Sequence, residues 1–246
     1  MRTEGEFTRA PKQTRSREAL ERVIETATSL LDEAGLEGFA IHEISRRANV
    51  SIGSIYARFA SREDLLRVVQ VRVLDEIHQE QIKITDESHW EGLALQATVR
   101  GFIHEYALSL ERHAVALRSF MSLASSDPVI AKMGKSAYGE LEARVHQLLL
   151  KHEKEIRHPD PQFAVELCFR IAYSALARHL GLGTESDAAH EGDWNEMIAA
   201  VGDMCVAYLL SDLAIFAPRI RTRKSRLKSL AQTGASNRAK ANGRKN

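Results

Sequence analysis

A short segment in the first quarter of the chain carries side chains suited to reading another macromolecule. It combines hydroxyls, a phenol and a guanidinium, all of which form hydrogen bonds, with one glycine that lets a backbone approach a ligand closely. The residues concerned are Ser51, Ile52, Gly53, Ser54, Tyr56 and Arg58. Presented on one short helix, this set predicts contacts with base edges and phosphates in a DNA groove.

Two apolar rows indicate the elements that present these groups. Their spacings of three, four and seven residues place each row on one face of a helix. The rows are Ile41, Ile44 and Ala48 in the first helix, and Ile55 and Phe59 in the second. Asn49 and Val50 form the turn between them, and Ser51 is a favourable N-cap. The pattern predicts a helix-turn-helix over residues 40–59, whose second helix enters a major groove.

The surrounding residues resemble a known family. The run from Gly35 to Leu66, GLEGFAIHEISRRANVSIGSIYARFASREDLL, contains the pattern NVS-x-GS-x-Y-x-x-F-x-S-x-E-x-L. This pattern resembles the N-terminal DNA-binding domain of the TetR family of bacterial transcriptional regulators, over about sixty residues from Arg17 to Ile77. The resemblance implies a dimeric, all-helical protein with an effector pocket in its C-terminal half.

Three positions depart from the pattern of that family. Ala40 stands where the family prefers Thr or Ser, Ser45 stands where Ala is usual, and Arg58 stands where His is common. The hydroxyl absent at residue 40 would cap the helix and contact a phosphate. Arg58 adds a positive charge that can compensate.

Two further arginines are candidate phosphate contacts. Arg17 lies at the entrance to the first helix, where it can contact DNA or simply be solvated. Arg62 lies in the first turn of the helix after the motif, and the resemblance implies a contact with the DNA backbone near this position.

Composition and compartment are those of an ordinary soluble protein. Hydrophobic residues make up 44% of the chain and charged residues 27%. Cys168 and Cys205 fit neither a disulfide framework nor zinc spacing, and they favour buried, inert thiols. The N-terminus lacks an apolar signal segment, and no run approaches the roughly 18 apolar residues of a membrane span. We therefore expect a cytoplasmic protein without a cofactor, metal site or membrane segment.

Charge is distributed unevenly along the chain. Residues 219–246 contain ten basic residues and no acidic one, which leaves 24 basic and 33 acidic residues in 1–218. Such a tail can add sequence-independent attraction to phosphates, or it can be a solvated, disordered end. The sequence leaves both interpretations open.

Helical signals continue to the end of the body, so the predicted fold class is all-α. Capping and apolar periodicity predict a three-helix DNA-binding domain followed by a helical effector-binding and dimerisation domain. The expected divisions are a flexible basic arm over 1–16, the DNA-binding domain over 17–77, the second domain over 78–218 and a disordered tail over 219–246. The first helix should end at Gly35, and the segment that begins at Asp127-Pro128 should extend to about Glu155.

The last two predicted helices, 161–183 and 193–216, have apolar residues on all faces. A helix with more apolar surface than one core can bury implies a second surface, and pairing with a symmetry mate gives a four-helix bundle. We therefore predict a homodimer through these helices. A dimer also places two recognition helices one DNA turn apart, as a palindromic operator requires.

Residues suited to an effector pocket lie in the C-terminal half. The resemblance implies a pocket there, and the available side chains favour a hydrophobic or aromatic small molecule. For each of them, plain core packing is the alternative. The candidates are Phe102, His104, Tyr106, Arg118, Phe120, Met121, Met133, Phe169 and Tyr173.

These observations favour a ligand-released repressor that binds a palindromic operator in double-stranded DNA. A transcriptional activator of the same fold and a DNA-binding protein without sequence preference are the alternatives. An enzyme is not expected, because the chain lacks HExxH, G-x-S-x-G, G-x-G-x-x-G and phosphate-loop motifs and thus offers no catalytic residue.

Overall fold

The computed structural model describes residues 14–183 and 190–212, and within them it confirms the all-α fold class. The described residues form nine α-helices and one short 3-10 helix at Glu87–Trp90. The helices are α1 (Thr14–Gly38), α2 (Ile41–Ala48), α3 (Ile52–Tyr56), α4 (Arg62–Thr85), α5 (Leu95–Arg112), α6 (Ala114–Leu123), α7 (Pro128–Leu150), α8 (Pro161–His179) and α9 (Trp194–Leu210).

Side-chain caps begin the helices where the sequence predicts them. The oxygen of each capping residue accepts a hydrogen bond from a backbone N–H of the first turn, which would otherwise have no partner. The donor–acceptor distances lie between 2.9 and 3.2 Å. The caps are Ser51 for α3, Ser61 for α4, Asp127 for α7, Asp160 for α8 and Asp193 for α9.

Gly35 interrupts α1 as predicted. Its φ of 60° lies in the left-handed region, which a residue with a side chain adopts only with strain. A Cβ added there would lie 3.4 Å from Ser119 Oγ on α6. The regular part of α1 therefore ends at Gly35, where the helix packs against α6.

Two apolar cores hold the described residues together. The first core lies among helices α1, α2, α3 and α4, and it also includes Ala116, Phe120 and Ile130 from α6 and α7. The second lies among α5, α7, α8 and α9. Helix α4 supplies Ile77 to the first core and Ile84 to the second. The predicted boundary between residues 77 and 78 therefore falls within one continuous helix.

Three helix boundaries differ from the predicted positions: the start of α1, the end of α7 and the end of α9. Helix α1 begins at Thr14, inside the predicted arm over 1–16, because its polar first turn precedes the apolar row that marked the helix. Helix α7 ends at Leu150 instead of Glu155, and Glu155 accepts a hydrogen bond from Leu95 N at the start of α5.

Helix α9 ends at Leu210 instead of Phe216. The backbone N–H groups of Arg157 and His158 donate to Leu209 O, at 2.9 and 3.2 Å, and occupy the carbonyl that the next helical turn would use. Residues 1–13, 184–189 and 213–246 lie outside the described part of the chain, so the basic tail over 219–246 stays a sequence-based prediction.

The two cysteines are buried free thiols that face each other across α8 and α9. Each Sγ donates to the backbone carbonyl of the other residue, at 3.7 Å in both cases. The hydrogen bond with Cys205 and burial raise the pKa of the Cys168 thiol, which keeps it protonated. In the part of the chain described, no helix combines the length and apolar character needed to cross a bilayer.

Candidate nucleic-acid interface and effector cavity

The helix-turn-helix has the predicted inward face. Ile44, Ala48, Ile55 and Phe59 are all buried in the first core, and Ile41 is half-buried at its edge. Burying one apolar face of each short helix fixes the opposite face toward solvent. The sequence spacing therefore predicted the orientation of both helices correctly.

Ser45 has a structural role in the turn. Its Oγ donates to Val50 O at 2.7 Å, and the backbone N–H of Val50 donates to Ser45 O at 3.2 Å. Asn49 takes a left-handed conformation with φ 52°. The hydroxyl that departs from the family pattern thus links the end of α2 to the start of α3.

Ala40 lies at the N-cap of α2 and provides no side-chain cap. Its backbone is extended, with φ −111° and ψ 128°, which is the conformation from which a Ser or Thr hydroxyl would accept from the first turn. The missing hydroxyl therefore leaves the first turn of α2 without that side-chain acceptor.

Helix α3 exposes the groups proposed to contact bases. Ile52 is 44% exposed and Tyr56 45% exposed, although both are large and partly apolar. Ser51 Oγ caps the helix and lies 2.8 Å from Ser54 Oγ. The regular helix ends at Tyr56, so Arg58 follows it in a turn, not on a continuing helix as the sequence predicted.

Gly53 faces open space on the same side of the molecule. A Cβ built on this residue would meet no atom within 4 Å among the described residues. Steric crowding inside the protein therefore does not explain the glycine. A close approach of DNA to the backbone of α3 would explain it.

We expect Gly53→Ala to weaken operator binding without harming the fold. Alanine should stabilise the helix by about 0.5 kcal/mol, because glycine has a low helix propensity. A methyl group forced against DNA should cost about 1–3 kcal/mol, or roughly 5- to 150-fold in affinity. Thermal unfolding and fluorescence anisotropy with operator DNA measure the two effects.

Gly139→Ala is the matched control, because its Cβ also meets nothing and it lies on α7, outside the DNA-binding domain. This variant should keep full affinity. Unchanged operator affinity in Gly53→Ala would mean that α3 stays farther from DNA than proposed.

A surface cleft lies between α1 and α3, and Arg58 is part of its wall. The cleft is lined by Ser16 from the first turn of α1 and by Ser51, Ser54 and Arg58 from the recognition segment. Arg17 follows Ser16 directly and is exposed. The structure thus brings the start of α1 beside the recognition helix, and the role of both arginines in phosphate contact stays a prediction.

Arg62 was predicted to contact the DNA backbone, and in this structure its guanidinium hydrogen-bonds to backbone carbonyls of the protein itself. Its Nε donates to Phe39 O at 3.1 Å and one terminal nitrogen donates to Leu36 O at 3.3 Å. The guanidinium also lies 5.3 Å from the centre of the Phe39 ring. Arg62 therefore fastens the connection between α1 and α2, because the guanidinium fork is directed at those carbonyls.

A cavity of about 540 Å³ lies between α4 and the C-terminal helices. Four of the predicted pocket residues line it: Tyr106, Phe120, Met121 and Tyr173. Its volume lies in the range of small-molecule sites, and most of its wall is apolar. The structure therefore supports a cavity in the predicted half of the chain.

Five predicted pocket residues do not line this cavity. His104 and Arg118 are exposed on the outer faces of α5 and α6, so neither lines this cavity. Phe102 and Phe169 pack with Tyr106 in an aromatic cluster, with ring centres 5.7 to 6.4 Å apart. Met133 lines a smaller neighbouring cavity of about 280 Å³. Helical spacing alone did not distinguish these positions from the residues that line the cavity.

The sequence reasoning missed several polar residues of the wall. They are distributed over α4, α7 and α8, and only the packing of those helices brings them together. Tyr138 is aromatic, like most of the predicted pocket residues. It is therefore the one missed residue that the sequence could have indicated by residue type. The missed polar residues are Gln70, Gln81, Lys135, Tyr138, Arg170 and Ser174.

Helix α4 connects this cavity to the DNA-binding domain. Gln70 lies in its wall and donates through Nε2 to Ile130 O on α7 at 3.1 Å. One turn earlier, Arg67 donates to Asp127 Oδ2 at 2.9 Å, and Asp127 also caps α7. Two polar contacts therefore fix α7 to the helix that begins beside the recognition segment.

The outer surfaces of α8 and α9 carry large apolar side chains that no element of the described residues covers. Phe163 is 50% exposed and Ile171 42% exposed on α8, and Met204 is 43% exposed on α9. Exposed apolar patches of this kind mark surfaces for association. The predicted dimer helices thus have an unburied apolar face.

Comparison with known proteins agrees with this geometry. Residues 23–69 match the family model of bacterial regulatory proteins, tetR family. The A-factor receptor protein of Streptomyces griseus is 31% identical over 105 residues, which cover 43% of this chain and 34% of that protein. The match thus spans about a third of the length of this relative.

Solved structures share the fold at low sequence identity. A transcriptional regulator from Rhodococcus superposes with a TM-score of 0.57 at 18% identity, covering 77% of this chain and 95% of that one. A regulator from Saccharomonospora viridis, solved in complex with choline, gives 0.61 at 16% identity, covering 76% and 95%. Salmonella enterica GusR gives 0.56 at 16% identity, covering 82% and 98%.

The structural likenesses show the fold, and the family model covers the segment that contains the helix-turn-helix. Both agree with the capped, one-sided α2 and α3 described above. Residues 23–69 of this chain are thus similar to bacterial regulatory proteins of the tetR family, which are not enzymes, and the described helices share the fold of solved transcriptional regulators.

Proposed function

We propose that the protein is a ligand-released repressor that binds a palindromic operator as a homodimer. The observation that carries this proposal is the position of α4, which supplies one wall of the cavity and part of the core of the DNA-binding domain. A molecule bound against Leu74 and Ile77 would contact the same helix that carries Leu65 and Leu66 under the recognition segment. The two sites therefore share one rigid element.

Release follows from differential affinity. An effector shifts the protein between two conformations only by the difference in its affinity for them. A ligand that favours a state with the two recognition helices at the wrong separation would lower operator affinity. The contacts of Arg67 with Asp127 and of Gln70 with Ile130 are the points at which such a shift would be transmitted from α7 to α4.

The dimer in this proposal forms through α8 and α9. The exposed side chains of Phe163, Ile171 and Met204 lie on these two helices. Ala200 and Ala207 lie one turn to either side of Met204 and are exposed too, so a second copy can approach α9 closely. A two-fold pair of α8 and α9 would form the four-helix bundle predicted from the sequence.

Sequence preference tests the proposal against DNA binding by charge alone. Fragments selected from random DNA by the full chain should converge on a palindrome with two half-sites. Competition with unrelated duplex at moderate salt should give a preference of about a thousandfold or more for the selected site. Equal competition by both duplexes would refute the proposal and favour a DNA-binding protein without sequence preference.

A further inference from the structure

The cavity behind α4 has a charge pattern that restricts its ligand. Among the described residues that line it, none carries a carboxylate, whereas Lys135 and Arg170 carry positive charge. Two acidic residues on α7 and α8, Glu142 and Glu166, lie outside this lining and both pair with Arg170. A cation taken out of water in this cavity would therefore have no carboxylate lining its site, which makes its transfer costly.

Three tyrosines supply hydrogen-bond donors to the same cavity. Burial raises the pKa values of Tyr106, Tyr138 and Tyr173, so their phenols stay protonated. The ring centres of Tyr138 and Tyr173 lie 5.0 Å apart. A neutral phenol donates to a carbonyl, hydroxyl or carboxylate oxygen, while its ring packs against apolar atoms.

Gln70 adds a polar group on the α4 side. Its Nε2 must face Ile130 O, because a carbonyl only accepts, and the Oε1 atom therefore points elsewhere. Oε1 is buried and accepts from no described residue. A buried acceptor without a donor is unfavourable, so a ligand hydroxyl or amide that reached this oxygen and donated to it would be stabilised.

We infer that the effector is a largely apolar molecule that is neutral or anionic and carries at least one hydroxyl, carbonyl or carboxyl group. The cavity of about 540 Å³ accommodates a drug-sized molecule. Leu110, Leu117 and Leu141 surround its apolar body, and the tyrosines orient its oxygens. Lys135 stabilises a negative charge at the exposed edge. This inference rests on the proposed function and names the ligand class for its cavity.

Three probes of different charge test the ligand class. We would titrate the full chain with the neutral dye N-phenyl-1-naphthylamine and the anionic dye 8-anilinonaphthalene-1-sulfonate, and add choline as a cationic competitor. Both dyes should bind and choline should displace neither. Displacement of either dye by choline, or absence of binding by both dyes, would overturn the inferred class.

A matched pair of glycine variants on α7 locates the binding. Gly134 lines the cavity, Gly139 lies in the same helix away from it, and a Cβ at either position meets no atom within 4 Å. Gly134→Phe should reduce dye binding about tenfold or more by occupying the cavity, whereas Gly139→Phe should leave it unchanged. Equal loss or equal retention in the two variants would contradict binding in this cavity.

A charge reversal tests the role of Lys135 independently of cavity shape. Lys135→Glu should weaken binding of the anionic dye about threefold, because an exposed charge contributes little, and should leave the neutral dye unaffected. Lys154→Glu reverses an equally exposed lysine that does not line the cavity and serves as the control. Equal effects of the two reversals on the anionic dye would remove Lys135 from the site.

Operator binding separates this inference from the proposed function. Dyes that bind in the cavity without changing operator affinity would support the ligand class and count against ligand release. Suppose instead that a cation releases the operator from the parent protein but not from Gly134→Phe. Regulation through the cavity would then be supported, and the inferred ligand class would be wrong.

Discussion

Replacing Ile52, Ser54 and Tyr56 together with alanine is expected to lower operator affinity by about a thousandfold. These side chains occupy the exposed face of α3, and Ile52 and Tyr56 are among the large hydrophobic residues that are exposed in the described part of the chain. Base contacts distinguish specific from non-specific sites by a factor of at least about a thousand. Affinity for unrelated duplex should stay unchanged, because phosphate contacts from other residues supply it.

Fold stability should change little in this triple variant. None of the three side chains is buried, and Ser51 still caps α3 through its own hydroxyl. Circular dichroism would verify the fold and anisotropy titration would measure affinity for both duplexes. Ile82→Ala, at a residue that is 40% exposed near the C-terminal end of α4, is the control and should bind the operator normally. Operator binding as tight as that of the parent would mean that the contact surface lies elsewhere.

Introducing glutamate at Ile171 and Met204 together is expected to convert the proposed dimer to a monomer at micromolar concentration. Both residues lie on the apolar outer face of α8 and α9. Pairing two copies would bury four carboxylates without partners, which is strongly unfavourable. Analytical ultracentrifugation measures the outcome directly.

Loss of the dimer should also reduce operator affinity by roughly a hundredfold or more, because linking two DNA-binding domains raises their affinity for a two-half-site operator by that factor. Leu93→Glu is the control, since Leu93 is 44% exposed but lies outside α8 and α9. A parent protein that is already monomeric at micromolar concentration, and that binds an isolated half-site at full strength, would contradict the dimer proposal.

The helix-turn-helix was predictable because its signals are local. The apolar spacing from Ile44 to Phe59 and the Ser51 cap depend on residues within a few turns of one another, and the structure shows the same inward face. The caps at Asp127, Asp160 and Asp193 were predicted for the same reason. Capping depends on one side chain and the first turn after it.

The contacts of Arg62 could be identified only from the tertiary structure. Its sequence position fits a phosphate contact, but its guanidinium hydrogen-bonds to Leu36 and Phe39, more than twenty residues earlier. No local pattern encodes such a contact. The end of α9 is similar, since the amides that occupy Leu209 O come from the segment before α8.

The sequence by itself determined the reading motif, the all-α class and the presence of aromatic residues for a cavity, because short-range periodicity and capping specify helices and their buried faces. Only the tertiary structure decided which aromatic and polar groups face the cavity. Phe102, Tyr106 and Tyr138 are all aromatic residues within helices, yet only Tyr106 and Tyr138 line the cavity. The reason is physical: the rotation of each helix about its axis depends on packing against distant helices, and a few tens of degrees move a side chain from cavity to core.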